Sequence, residues 1–187
     1  MIGYAFSGSF CTFERSFKSL VRLVEAGYDV QPIMSERAYG TDTRFARAGE
    51  FRERVSALCK RDIIHTVEEA EPLGPKIVLD ALVIAPCTGN TLAKIATGVT
   101  DTAVTMAAKA HLRCDRTLLL AVATNDALSQ NLKNIGTLVT RRSVYFVPML
   151  QDDPVGKPHS LVAAMEEIPE ALFAAMESRQ LRPIFRV

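Results

Sequence analysis

Three short stretches of small and polar residues carry the chemistry this chain could do: "SGSFCT" at 7–12, "APCTGNT" at 85–91 and "TND" at 124–126. Each follows an apolar run, so each reads as the exit of a buried strand into a helix or turn. Small residues let a ligand approach the backbone, and the first amides of a helix lack internal acceptors. Ser7, Ser9, Thr12, Thr88 and Thr91 add hydroxyl donors without adding charge. Such a set suits a phosphate or a carboxylate. Neither common phosphate fingerprint is present. "GYAFSG" at 3–8 keeps the G-x-x-x-x-G spacing without the lysine, and G-x-G-x-x-G is missing. A nucleoside triphosphate or dinucleotide cradle of the usual kind is therefore not expected.

Each stretch also has a plainer reading. Thr88 or Asn90 alone is a helix N-cap, contributing about 1 kcal/mol to a helix and nothing else. Ser7-Gly8-Ser9 alone is a strand-to-helix turn. Cys87 alone is a small buried residue, because no histidine stands near it in sequence to activate the thiol. His65 and His111 read as packing or surface histidines, while His159, in a Pro-bounded polar loop, leaves a ligand role open. What favours a site is the coincidence of three such exits.

The elements that must position these residues follow from periodicity. "IGYAF" (2–6) reads as a strand, and Phe13, Phe17, Leu20, Val21 and Val24 then share a helical face that Gly27 stops. "YDVQPIM" (28–34) reads as a second strand. Residues 42–60 read as an exposed helix, "DIIHT" as a short strand and "EPLGPK" as a turn-rich connection. "ALVIAP" (81–86) and "TLLLAVAT" (117–124) are apolar on both faces, as central parallel strands are. Helices are expected from about Asn90, through "AVTMAAKAHL", and through "DALSQNLKNIGTL". "VYFVPM" (144–149) reads as the last strand. Leu161, Met165, Ile168, Leu172 and Met176 recur at helical spacing, with Pro169 kinking or restarting that helix. The alternation predicts an α/β fold, doubly wound in three layers, over one domain spanning 1–187, with ligands at the carboxyl ends of the strands.

Composition bounds the rest. A formal charge of +1 over 187 residues, without long runs of either sign, argues against a nucleic-acid surface, and no apolar stretch reaches the length of a membrane span. Four cysteines (Cys11, Cys59, Cys87 and Cys114) without a C-x-x-C pair fit free thiols in a reduced, cytoplasmic setting better than a disulfide framework or zinc site.

"APCTGNTLAKIA", with "SGSF" after the first strand, Ser35 after the second and "AVATND" after the fifth, resembles the P-x-[ST]-x-N-T pattern of the FMN-dependent cysteine decarboxylase and flavin prenyltransferase superfamily of flavoproteins. Within it, the blocks "EPLGPKIVLDALVIAPCTGNTLAKIA", "VTMAAKAHLR", "ATNDALSQNLKNIG" and "YFVPMLQDDPVGKPHSLVA" are similar to the B-subunit family of dipicolinate synthases. The resemblance implies a flavodoxin-like (Rossmann-like) α/β/α fold with a parallel sheet, assembled as a trimer or larger homo-oligomer. It implies FMN, with Gly8, Ser9 and Phe10 along its phosphate and ribityl chain, Ser35 donating to the phosphate, and Cys87, Thr88 and Gly89 bordering the ring. Asn90, Thr124, Asn125 and one cation, Lys157 or Arg141, would bind a small dicarboxylate substrate. The implied activity is oxidation of a dihydrodipicolinate-level intermediate to dipicolinate in the mother cell of a sporulating bacterium. The partner is a dehydrogenase-like A subunit that holds NAD(P), in keeping with the missing dinucleotide fingerprint here. One departure limits the resemblance. The decarboxylases carry a catalytic histidine upstream of their A-P-x-[ST] segment, where this chain has Pro72, with His65 too early. Thiol decarboxylation thus lacks its acid–base residue.

Overall fold

The structure, a computed structural model, describes residues 1–74 and 76–186. Pro75, inside the expected "EPLGPK" turn, and Val187, the end of the expected domain, lie outside the described residues. Strands β1 (Ile2–Phe6), β2 (Val30–Met34), β3 (Ala81–Cys87) and β4 (Thr117–Thr124) run parallel in the order β2-β1-β3-β4, and β5 (Val144–Phe146) pairs in parallel with the first half of β4. All seven residues of β3 are buried, which is why its sequence shows no polar face.

The strand period of two divides the core into two layers. Ile2, Tyr4, Phe6, Val83, Ala85, Leu119 and Ala121 pack with helices α1 (Phe13–Glu25), α3 (Ala48–Cys59) and α8 (Ile168–Met176). The alternate residues Ala5, Leu82, Ile84, Leu118, Leu120 and Val122 pack with α4 (Val67–Ala70), α5 (Gly89–Thr97), α6 (Ala103–Leu112) and α7 (Leu132–Val139). The short α2 (Glu36–Gly40) follows β2, capped by Ser35. The result is a flavodoxin-like α/β/α fold. Its chain order reverses between β1 and β3, the place where such sheets bind ligands.

The structure corrects four sequence expectations. The sheet is not parallel throughout: β6 (Met149–Leu150) and β7 (Leu161–Ala163) form an antiparallel pair, and β7 also runs antiparallel to Ala123 and Thr124 of β4. Leu161 is therefore in a strand, not on the C-terminal helix face, and Met176 is exposed. By contrast, Pro169 restarts the helix as expected, since the turn at Met165–Glu167 gives way to α8 there. It stands in the first turn of α8, where its missing N–H costs nothing. "DIIHT" contributes only an isolated bridge, Ile64 to Ile33, and the helix expected from Asp126 begins at Leu132 because 126–131 form turns tied to the Asp126 carbonyl and carboxylate. Among the described residues no helix is long and apolar enough to cross a membrane.

Candidate functional site

The three polar exits meet at the carboxyl edge of the sheet. Ser7, at the end of β1, donates its amide and hydroxyl to Pro86 O (3.2 and 2.8 Å), and its Oγ accepts the Thr88 amide at 3.0 Å. Ser7 is fully buried, so these bonds lock the β1 exit to the β3 exit. Behind them, Ser16 Oγ donates to Ala85 O at 2.6 Å, and Tyr4 OH donates to Ser16 O at 2.9 Å. Thr88 caps α5 by accepting the Thr91 amide (3.2 Å), while its hydroxyl donates to Thr91 Oγ1 (3.0 Å). Ser35, at the end of β2, donates its amide to Phe6 O and caps α2 by accepting the Ala38 amide at 3.2 Å.

Two clefts open above this junction and share Gly8, Thr88 and Asn90. One, of about 610 Å³, is lined further by Ser9, Phe10, Gly89, Thr124, Asn125 and Lys157. The other, of about 460 Å³, includes Ser35, Arg37, Thr91, Lys94 and Thr102. Each volume lies in the range of small-molecule sites, roughly 300–1,000 Å³. The fold thus gathers Gly8, Ser9, Phe10, Thr88, Gly89, Asn90, Thr124, Asn125 and Lys157 around the first cleft and Ser35 beside the second, the two adjoining at Gly8, Thr88 and Asn90. Cys87 is different. Its side chain is fully buried in the layer against α5, burial pushes its thiol far above the usual range, and Sγ lies 3.8 Å from Thr88 O. It supports the cleft wall without reaching the cleft. Arg141 is also elsewhere, beside α6 and the end of α5.

The hydrogen bonds decide which donors remain for a ligand. The Ser7, Thr12 and Thr88 hydroxyl protons go to Pro86 O, Ser9 O and Thr91 Oγ1, so these groups build the cradle rather than donate into it. The amides of Gly89 and Asn90, in the first turn of α5, take no acceptor among the described residues. Thr124 is likewise not a donor. Its Oγ1 lies 2.6 Å from Asp126 Oδ1, and the bonds from Thr124 and Asn131 hold the Asp126 carboxyl below its ordinary range. An ionised carboxylate only accepts, so Thr124 must donate to it and turn lone pairs to the cleft. Asn131 donates to both Asp126 oxygens at 2.9 Å and accepts from Asn134 at 2.8 Å.

This network presses on the start of α5. A Cβ on Gly89 would lie 2.5 Å from Asn131 Nδ2 and Thr124 Oγ1, and 2.8 Å from Asp126 Oδ1. Glycine is required there by close approach, not by backbone angle. Sequence reasoning missed Asp126 and Asn131 because, although their hydrogen-bond partners are near in sequence, the Gly89 they press on comes from across the fold. It also missed Arg15, which lines the larger cleft while its guanidinium holds Glu166 at 2.9 Å. Lys157 is held at 2.9 Å by Asp152, which lowers the acid and raises the amine, and Ser160 donates to the same carboxylate. Among the described residues no histidine lines either cleft: His65 stacks on Tyr39 at 3.8 Å and lies 3.1 Å from Glu69, and His111 is buried on α6 against the start of β4.

A flavodoxin-like sheet with free helix amides and small residues at its β1/β3 switch point has the architecture of the doubly wound α/β class, in which ligands sit at that place. The chain belongs to the Flavoprotein family, whose model matches residues 1–178. It is 41% identical over 183 residues to the B subunit of dipicolinate synthase from Bacillus subtilis (strain 168), covering 98% of this chain and 92% of that protein. Among solved structures it is similar to the dipicolinate synthase B subunit from Bacillus halodurans C, with a TM-score of 0.91 and 39% identity over 100% of this chain and 95% of the other. The fold extends to the FMN-dependent cysteine decarboxylase SpaF, with a TM-score of 0.66 and 19% identity over 95% of both chains.

Proposed function

We propose that this chain is the FMN-binding B subunit of a dipicolinate synthase. It would act with a dehydrogenase-like A subunit that carries NAD(P) to oxidise a dihydrodipicolinate-level intermediate to dipicolinate in a sporulating cell. The observation that carries the reading is the likeness to a B subunit over nearly the whole chain, which takes in the strand-tip cradle and the 151–160 loop alike.

The residues suit FMN on their own chemistry. Ser35, Arg37 and the free amides at the N-terminus of α5 offer donors and positive charge to a phosphate, where anions are favoured, while Lys94 and Glu36, which also line the cleft, hold Asp101 and the Ala103 amide. Gly8 leaves the backbone open beside the Phe10 ring, and Ser9, Thr88 and Gly89 line the continuous wall toward the larger cleft. Bound there, the flavin would supply a ring able to accept a hydride. The chain would do the rest. Asn90 and Asn125 amides and the Lys157 and Arg15 cations orient the two carboxylates of the substrate, and Thr124 accepts a hydrogen bond from a substrate or cofactor N–H. Asp152 and Glu166 already neutralise those cations, so the site is built to orient a dianion without an excess of fixed charge. Assembly into a homo-oligomer would cover apolar side chains left exposed on α8 and the tail, among them Phe173, Met176 and Phe185.

The test is purification of the chain with and without the A subunit, measuring flavin content and dipicolinate formation in each. Flavin bound by this chain, and dipicolinate formed only by the pair, is the expected result. Full-rate dipicolinate formation by the A subunit alone would remove this chain from the chemistry.

A further inference from the structure

A second recess lies at the opposite end of α5, away from the strand tips. It encloses about 190 Å³ between α5, α6 and the α7–β5 connection. Its apolar lining comes from Ile95, Val99, Ala108 and Leu112. Its rim carries Lys109 and Arg113 from α6 and Arg141 from the connection. None of the three cations forms an ion pair among the described residues. The nearest acid in sequence to the lining residue Thr100, Asp101, is already held by Lys94 at 2.8 Å.

Cations in the last turn of a helix complement its dipole, which accounts for Lys109 and Arg113 singly. It does not account for Arg141, brought from another element to the same apolar hollow. Nor does solubility, which would scatter charge rather than gather it. From 102 to 151 the chain carries Lys109, Arg113, Arg116, Lys133, Arg141 and Arg142 against only Asp115 and Asp126, in a molecule whose overall charge is +1.

We propose that this recess binds a small carboxylate with an apolar body of about one ring, seating the ring on Ile95, Val99, Ala108 and Leu112 and its carboxylates on Lys109, Arg113 and Arg141. The size selects the ligand. The volume falls below that of drug-sized sites yet matches a compact ring, and the positive rim rejects a neutral apolar molecule less well served there. The proposal stands apart from the flavin reading, since no residue of the recess lines either strand-tip cleft.

Calorimetric titration of the full chain with benzene-1,3-dicarboxylate tests it, with benzoate and the neutral dicarboxamide as comparisons. Affinity should fall in that order and weaken as salt rises. The paired exposed substitutions Lys109→Gln and Arg141→Gln should weaken the dicarboxylate by at least about tenfold, the loss expected for one charge-assisted contact. Asn90→Ala with Asn125→Ala should weaken only the strand-tip component of the titration and leave unchanged the component that the Lys109/Arg141 substitutions weaken. Absent binding, or equal binding of the dicarboxamide, overturns the proposal. Loss only in the Asn90/Asn125 variant overturns it too, by placing the ligand in the strand-tip cleft. A change of oligomeric mass in the Lys109/Arg141 variant does the same, by assigning the recess to contact between copies.

Discussion

The two edges of the sheet are built from opposite materials. At the carboxyl edge the strands deliver Ser7, Ser35, Thr88 and Gly89, and hydrogen bonds between loops fix them before any ligand arrives. At the amino edge the chain places His111 under the start of β4, and Lys109, Arg113 and Arg141, unpaired among the described residues, around an apolar hollow. Helix α5 joins them, with free amides at one end and the Gly98 left-handed cap at the other. The difference teaches that the first edge is preorganised by hydrogen bonds and carries cations already paired with acids, while at the second tertiary structure gathers cations that no acid among the described residues pairs with.

Substitutions that break one edge should leave the other intact. The largest effect is expected for Gly89→Ala, whose methyl has no room among Asn131, Thr124 and Asp126. Overpacking of this kind costs about 1–3 kcal/mol, and the network adds its own loss when it shifts. Chemical denaturation should therefore show a drop near the top of that range; an unchanged midpoint would mean the network is looser than its distances. Ser7→Ala comes next, leaving the Thr88 amide without its acceptor for about 1–3 kcal/mol. Flavin retention should fall with it, while binding at the α5–α6 recess should not.

At the amino edge the lever is pH. His111 is fully buried, with Nε2 2.7 Å from Thr117 O and Nδ1 unpartnered, and burial lowers its pKa to about 4. The unfolded chain takes up the proton near 6.5, the folded one only near 4, so stability falls as pH drops through that window and levels off below it. The slope should approach about 1 kcal/mol per pH unit and flatten in His111→Gln, where the amide still donates to Thr117 O. A wild-type curve flat between those values would show that the histidine accepts its proton in place. The smallest effect on stability belongs to Lys157→Gln, since the Lys157–Asp152 pair is solvent-exposed. Its unfolding midpoint should not move, whereas pyridine-2,6-dicarboxylate binding to the flavin-loaded chain should weaken severalfold. Equal affinity would remove Lys157 from the substrate site.

Much of the frame is legible in the sequence because strand and helix periods differ. The runs at 2–6 and 117–124 are strands with those bounds, and "AVTMAAKAHL" is α6. Leu161 misleads because residues at 161, 165, 168 and 172 satisfy helical spacing even though the first of them pairs as a strand. The small residues at the strand exits point to a cradle. Their spacing does not reveal that the Ser7 and Thr88 hydroxyls are committed to the protein itself, nor that Cys87 turns inward while Thr88 and Gly89 do not.

Apolar periodicity settled the three-layer fold, and small residues after the strands marked the exits that meet at the carboxyl edge, since each depends on neighbours in sequence. Which groups remain free to bind a ligand was decided only in three dimensions. A hydroxyl's role depends on what stands within a few ångströms, and for Thr124, Asp126, Asn131 and Gly89 those neighbours come from different strands and helices.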